Sequence, residues 1–133
     1  MKKLNKRVLI IDDDKAITMS WIYDLEDMGV VVKQATTLDQ ARAEMGKNPD
    51  VDVIVMDACL VSGEGPTTLG LTKEIRANFA GPIIANSSLK AYQDLLMQAG
   101  CDYRGDKGAG LVGLITSLLK GKKRRENKVS RED

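Results

Sequence analysis

"VLIIDDD", residues 8–14, joins four consecutive apolar residues to three consecutive aspartates. Continuous apolar runs of this length are typical of strands that are buried on both faces, as in parallel sheets. Adjacent carboxylates repel one another and raise each other's pKa unless a positive charge lies between them. The stretch therefore predicts a buried strand that ends in a cluster of acids, and the cluster needs a cation.

The alternation of short apolar runs with longer segments of helical period continues along the chain. In the first helix, Ile17, Trp21, Leu25 and Met28 recur at helical spacing and are predicted to face the core, and Gly29 ends the helix. Strands are predicted at 8–11, 30–35, 51–57 and 82–88, with a weak fifth strand within 101–108. Helices are predicted at 15–28, 36–49, 67–79, 89–100 and 111–120.

Five strands that alternate with five helices predict an α/β fold, a doubly wound parallel sheet with helices on both faces. Polar side chains are assigned to the starts of three helices. Asp14 and Ser88 are predicted as N-caps of the first and fourth helices, and Thr37 with Gln40 as a capping box for the second.

The composition indicates one domain of a globular protein. Of 133 residues, 43% are hydrophobic and 29% charged. No apolar stretch is long enough to span a bilayer and the N-terminus lacks a signal-peptide pattern, so we expect a cytoplasmic protein without membrane contact. Two cysteines without metal-site spacing fit a reducing compartment. The absence of histidine excludes Ser-His-Asp and Cys-His catalysis and a phosphohistidine-carrier role for this chain.

The net charge of +1 hides an uneven distribution of charge. Only ten of the 20 basic residues lie between Val8 and Lys120, against sixteen of the 19 acidic ones. The body is therefore acidic and both ends are basic. We predict one domain over residues 1–120 and a charged, disordered tail over 121–133. We expect no nucleic-acid contact from this segment.

In open parallel sheets, ligands bind beyond the carboxyl ends of the strands, and this is where the polar residues of the chain fall. Clustered carboxylates without histidine or cysteine suit a hard cation such as Mg²⁺, and a carboxylate can also attack phosphorus to give an aspartyl phosphate. A lysine and a hydroxyl would neutralise the transferring group. The residues at this edge are Asp12, Asp13 and Asp14, then Asp57, then Ser87 and Ser88, then Lys107.

Over about residues 6–120 the chain resembles the receiver domain of two-component response regulators. The likeness rests on four motifs taken together and in order: "VLIIDDD", "VDVIVMD" with Gly65 beyond it, "PIIANSS" and "AGCDYRGDK". The resemblance implies a flavodoxin-like (βα)5 fold with strand order 2-1-3-4-5. It also implies a phosphoprotein that works in phosphorelay signalling rather than an enzyme that turns over a substrate.

The resemblance assigns a role to each matching residue. Asp57 would be the phosphoacceptor. Asp12 and Asp13 would hold Mg²⁺ together with Asp57, and the main-chain carbonyl of Cys59 would be a further ligand. The phosphoryl donor would be a sensor histidine kinase or a phosphotransfer protein, and a downstream protein or output domain would read the modified state. The last helices offer a face for a homodimer.

The switch residues match the family only in part. Ser87 matches the hydroxyl residue that bonds the phosphoryl group, and Lys107 matches the lysine that pairs with it. The switch aromatic is replaced by Arg104, while Tyr103 comes one residue earlier and is predicted on the opposite strand face. Arg104 is predicted to pair with the phosphoryl group or with an acidic neighbour once Asp57 is modified. Two family prolines are replaced by Val61 and Gly108.

The residues leave two other functions open. A degenerate receiver would act as an interaction domain without phosphorylation and would not need to bind Mg²⁺. An aspartyl-phosphate phosphohydrolase would need a second acid close behind Asp57, where the chain has Cys59, and it would need a substrate cap. We therefore rank the hydrolase last.

Overall fold

The computed structural model describes residues 4–47, 50–61 and 63–121. Strands and helices alternate along this part of the chain. The strands are β1 (Arg7–Ile11), β2 (Val31–Ala35), β3 (Val53–Asp57), β4 (Ile83–Asn86) and β5 (Tyr103–Gly105). The helices are α1 (Lys15–Asp27), α2 (Leu38–Lys47), α3 (Leu69–Asn78), α4 (Lys90–Ala99) and α5 (Gly110–Leu119).

The five strands form one parallel sheet in the order β2-β1-β3-β4-β5, which confirms the predicted fold class and strand order. Strand β3 lies at the centre and is buried along its whole length. Strands β3 and β4 have continuous apolar runs because helices cover both of their faces.

Alternate residues of β1, β3 and β4 enter two separate cores. Leu9 and Ile54 pack in one core with side chains of α2, α3 and α4. Val8 and Val55 pack in the other with side chains of α1 and α5. The helices cover the two faces of the sheet but not its carboxyl edge, where the polar residues lie.

Residues 122–133, most of the predicted tail, lie outside the described residues. None of the described helices is long and apolar enough to cross a membrane.

Two of the predicted helix starts are confirmed. The Asp14 carboxylate accepts from the main-chain N–H groups of Ala16 and Ile17 and caps α1. The Thr37 hydroxyl accepts from the Gln40 N–H, as a capping box requires. The Gln40 side chain, however, accepts from the main chain of Thr36 instead of Thr37.

The predicted cap at Ser88 is wrong. Helix α4 begins after Leu89, whose side chain cannot cap, and it is the Ser87 hydroxyl that accepts from the Leu89 N–H, at 3.1 Å. Two apolar residues at the starts of predicted helices are nevertheless exposed, and one of them, Ile17, was predicted to face the core. Ile17 is 40% exposed and Leu89 is 54% exposed, while Thr18 takes the buried position on α1. In both helices the first turn lies beside the pocket at the strand ends, where there is no apolar layer to cover it.

Candidate functional site

Three carboxylates meet at the carboxyl edge of the sheet. Asp12 and Asp13 follow β1, and Asp57 ends β3, which pairs directly with β1. One oxygen from each of the three carboxylates lies within 4.8 Å of the other two. Asp12 and Asp57 are buried, whereas Asp13 is exposed. The arrangement is that of a small acidic pocket with one side open to water.

A lysine closes this pocket from the end of β5. The Lys107 ammonium donates to Asp12 Oδ2 at 2.7 Å and lies 3.1 Å from Asp57 Oδ1. The second oxygen of Asp12 accepts from the main-chain N–H of Asp14 at 2.9 Å. Asp12 is thus held at both oxygens, while Asp57 keeps one oxygen away from the lysine.

The electrostatics of Asp57 are unbalanced. Burial is the main cause that raises the pKa of the Asp57 carboxyl from 3.8 to about 6, and the nearby charge of Asp12 adds to it. The ion pair with Lys107 and a hydrogen bond from the Cys59 N–H act in the opposite direction and are outweighed. A cation beside Asp57 would relieve this repulsion.

The lysine, in contrast, is firmly charged. Burial lowers the pKa of the Lys107 ammonium, but its hydrogen bond and ion pair with Asp12 and its contact with Asp57 outweigh burial and leave the pKa raised. Lys107 therefore supplies a permanent positive charge next to the Asp57 carboxylate.

Ser87 and Cys59 line the same pocket as the three acids and the lysine. Ser87 follows β4, is 5% exposed and donates its main-chain N–H to the Gly105 carbonyl of β5. Burial and the charge of Asp57 raise the pKa of the Cys59 thiol, so this cysteine stays protonated and unreactive at neutral pH. All the residues named from the strand ends are thus brought together.

Arg104 and Tyr103 lie apart from that group, on opposite faces of β5. Tyr103 is buried in the core formed with α1 and α5, as its predicted strand face requires. Arg104 is exposed on the other face and its guanidinium lies 2.5 Å from Asp94 Oδ1 of α4. Asp94 also pairs with Lys90, and the hydrogen bonds from Arg104 and Lys90 lower the pKa of the Asp94 carboxyl.

Sequence reasoning missed three polar side chains that hold the loops of the site. The Thr68 hydroxyl, fully buried, donates to the main-chain oxygens of Asp57 and Ala58. The Gln93 amide donates to the Ser87 and Gly105 carbonyls at 2.8 and 2.9 Å. The Asn86 amide donates to the Asp106 carbonyl. Only Asn86 had a signal in the sequence, as a polar residue inside the apolar run "PIIANSS".

The donor set fits a hard divalent cation. Three carboxylates on neighbouring strand ends supply oxygen ligands only, and Mg²⁺ prefers a few protein oxygens with the remaining positions left to water and phosphate. Burial and, to a smaller extent, the charge of Asp12 raise the pKa of Asp57, and a divalent ion would stabilise its ionised carboxylate. Asp12, Asp13 and Asp57 are the residues that would hold it.

Several solved structures share this fold over most of the chain. A two-component response regulator from Clostridium difficile is 24% identical with a TM-score of 0.75, over 86% of this chain and 96% of that one. The Francisella response regulator 1452 receiver domain is 27% identical with a TM-score of 0.73, over 90% of this chain and 100% of its own. A response regulator from Burkholderia pseudomallei was crystallised with a phosphorylated aspartic acid, a calcium ion and citrate. It is 25% identical with a TM-score of 0.72, over 86% of this chain and 66% of that one.

No curated protein sequence matches the chain significantly. The sequence model of one family, described as the response regulator receiver domain, matches residues 8–104. This range includes Asp12, Asp13, Asp57 and Ser87 and ends three residues before Lys107. The fold, the strand order and the acidic pocket agree with the match, and the chain belongs to the response regulator receiver domain family.

Proposed function

We propose that this domain, over residues 1–120, is a cytoplasmic phosphoacceptor that takes a phosphoryl group on Asp57 from a partner histidine kinase or phosphotransfer protein. Mg²⁺ would be held by Asp12, Asp13, Asp57 and the main-chain carbonyl of Cys59. The observation that carries the proposal is the placement of the buried Asp57 carboxylate between a fixed ammonium and two further acids. The phosphorylated aspartic acid of the similar Burkholderia protein supports it.

The reaction is a transfer between two nucleophiles at phosphorus. An oxygen of Asp57 attacks the phosphorus of the donor, a new O–P bond forms, and the donor's bond to phosphorus breaks with its electron pair. The nitrogen of a phosphohistidine donor keeps the electron pair of the N–P bond and takes up a proton from water to give neutral imidazole, whereas an acyl phosphate donor releases its acyl part as a carboxylate. The donor histidine belongs to another protein, because this chain has none.

Positive charge around the pocket stabilises the transferring group. Lys107 already lies 3.1 Å from an Asp57 oxygen and is positioned to pair with a phosphoryl oxygen. Mg²⁺, when bound, supplies the additional charge that three acids and a phosphoryl group require. The Ser87 hydroxyl accepts only the Leu89 N–H here, so it remains able to donate to a phosphoryl oxygen.

Phosphorylation would then change the face formed by α4, β5 and α5. Moving a two-state equilibrium from 1:99 to 99:1 needs about 5.5 kcal/mol of differential contact energy. Charge-assisted hydrogen bonds from Ser87 and Lys107, at about 1.5–3 kcal/mol each, supply most of it. The neighbours of Ser87 on α4 include Gln93 and, one residue on, Asp94 with its Arg104 partner. A downstream protein would read this face, and Arg104 and Tyr103 would belong to the switch.

The proposal is tested by intact-protein mass after incubation with a small acyl phosphate, with and without Mg²⁺. The native chain should gain one phosphoryl group in a Mg²⁺-dependent reaction, and Asp57→Asn should gain none. Asp14→Asn is the matched control, because asparagine caps a helix as well as aspartate does and Asp14 contributes no oxygen to the acid cluster. An adduct that survives in Asp57→Asn would overturn the assignment of the acceptor.

The same experiment separates the two rival functions. A folded native chain that forms no adduct and binds no Mg²⁺ would be a degenerate receiver that works by contact alone. Rapid, repeated hydrolysis of a phosphate monoester would instead indicate a phosphohydrolase.

A further inference from the structure

Asn86 is an asparagine in the interior of the sheet. It ends β4, is fully buried, and pairs in register with Asp57 on one side and Gly105 on the other. The three preceding residues of β4 are all apolar, Ile83, Ile84 and Ala85. A carboxamide here lies between the strand that carries the acceptor and the strand that leads to the lysine.

Only half of this carboxamide is satisfied. The amide nitrogen donates to the main-chain oxygen of Asp106 at 2.7 Å. The amide oxygen, also buried, has no hydrogen-bond partner within the part of the chain that the structure describes. A buried acceptor without a partner is unfavourable, and an apolar residue of the same shape would avoid the loss. Packing therefore does not explain why an asparagine occupies this position.

Within the described part of the chain, the one hydrogen bond of the Asn86 side chain acts on the loop that carries Lys107. The Asp106 carbonyl belongs to the peptide group that continues into Lys107, so the bond to Asn86 holds the backbone at the point where the lysine begins. On the other side of the loop, the Asp106 carboxylate accepts from the Gly108 N–H at 2.8 Å. The Asn86 bond ties the backbone of this turn to the sheet.

Two glycines, Gly105 and Gly108, flank the part of the loop that Asn86 restrains. A side chain at Gly105 would bring a carbon within 2.8 Å of Ile84, so glycine lets β5 approach β4 closely at Asn86. Gly108, directly after the lysine, has the widest backbone freedom of any residue and does not restrain the loop. Lys107 must nevertheless keep its ammonium within 3.1 Å of two carboxylates.

We propose that Asn86 is a positioning residue for phosphoryl transfer, which holds the loop between β5 and α5 so that Lys107 faces Asp57. The inference rests on the proposed function, since it concerns how fast Asp57 accepts a phosphoryl group. Among the described residues, the Asn86 amide makes its hydrogen bond to the Asp106 carbonyl and not to an acid of the pocket, so it acts through the backbone of Asp106.

The test is a double-mutant cycle on the rate of phosphorylation by a small acyl phosphate with Mg²⁺. Asn86→Leu keeps the shape of the side chain and removes the donor, and it should slow phosphorylation about tenfold, as a misplaced positioning group does. Lys107→Met should slow it at least as much. The double variant should be no slower than Lys107→Met alone, because Asn86 acts only through the lysine. Calorimetry should show that Asn86→Leu binds Mg²⁺ at least as tightly as the native chain, because the three carboxylates are unchanged and a displaced ammonium competes less for them.

Ile115→Val is the matched control, because it removes a buried methyl group from α5 on the same side of the sheet without touching the loop. It should lower stability and leave the rate unchanged. If Asn86→Leu does not fold, Asn86→Ala replaces it in the cycle. A native rate in the Asn86 variant, or equal slowing in the presence and absence of Lys107, would overturn the inference alone. A native chain that gains no phosphoryl group would overturn the proposed function itself.

Discussion

Two buried ion pairs lie at opposite edges of the sheet, and they are built differently. Lys107 meets Asp12 and Asp57 at the carboxyl edge. Arg76, on α3, meets Asp102 at the amino edge, at 2.8 Å. The Asp102 carboxylate is completely buried and also accepts from the Ile83 N–H at 3.0 Å, which fixes the start of β4.

The Arg76 guanidinium is satisfied on all sides. Besides Asp102, it donates to the main-chain oxygens of Phe79, Gly81 and Gly100. One cation therefore meets one anion, and the other donors bond to carbonyls at the end of α3, the start of β4 and the end of α4. The carboxyl edge has three acids for one lysine, and burial raises the pKa of Asp57 to about 6. At the amino edge the charges are balanced and stabilise the fold, whereas the carboxyl edge is left with more acids than cations.

Arg76→Met should produce the largest loss of stability. It leaves the Asp102 carboxylate buried without its cation, and losses of about 3–5 kcal/mol are typical when one partner of a buried ion pair is removed. Chemical denaturation measures it. Arg42→Met is the control, because Arg42 pairs with Glu74 at an exposed site and should change little. Equal losses in the two variants would contradict the stabilising role of the amino edge.

Lys107→Met should cost less stability and should change metal binding. Without the lysine, Asp12 and Asp57 repel each other, and we expect a loss of about 1–3 kcal/mol in metal-free buffer. Asp57 limits the loss because it can take up a proton. Calorimetry should show tighter Mg²⁺ binding in the variant, since the ammonium no longer competes for the carboxylates. Weaker Mg²⁺ binding would mean that Lys107 organises the ligands rather than competing with the metal.

Asp57→Asn should stabilise the metal-free protein. The Asp57 carboxyl has a pKa of about 6 in the folded protein and an ordinary value of 3.8. Between these values the folded protein holds a proton that the unfolded chain has lost, so the free energy of unfolding falls as the pH rises from about 4 to about 6. With allowance for solvent screening, the asparagine variant should gain about 1–2 kcal/mol at about pH 8. The gain should vanish near about pH 4.

With Mg²⁺ present, the native chain should become more stable than the Asp57→Asn variant. Mg²⁺ binds the folded aspartate protein and stabilises it by mass action, whereas the asparagine variant has lost a ligand. Thermal melts of both proteins with and without Mg²⁺ measure whether the order of stability changes. An asparagine variant that is less stable than the native chain without metal would show that Asp57 is not strained.

Arg104→Gln should have the smallest effect on stability. Its partner Asp94 is exposed, and exposed ion pairs contribute little because water and salt screen them. Thermal melts at low and high salt should hardly differ between the variant and the native chain. A marked loss of stability would show that Arg104 stabilises the fold and would contradict its assignment to the switch.

The apolar alternation was enough to predict the sheet and the edge at which the acids collect. The central strands β3 and β4 are buried along their whole length, and the carboxyl ends of parallel strands must meet at one edge, so Asp12, Asp57, Ser87 and Lys107 were expected together. The errors in predicting burial concern residues in the helix turns that border the open pocket. Ile17 and Leu89 fit the apolar period, yet they lie on helix turns that no other layer covers.

The sequence alone therefore determined the element order, the doubly wound sheet and the carboxylate cluster, because these follow from local periodicity and the direction of parallel strands. The partners of those charges could not be predicted in this way, because they depend on how the chain packs. Lys107 and Asp12 are 95 residues apart, Arg76 and Asp102 are 26 apart, and Asn86 and Asp106 are 20 apart. Such contacts depend on distances of about 3 Å between side chains from different elements, and these distances are set by how the helices and strands pack.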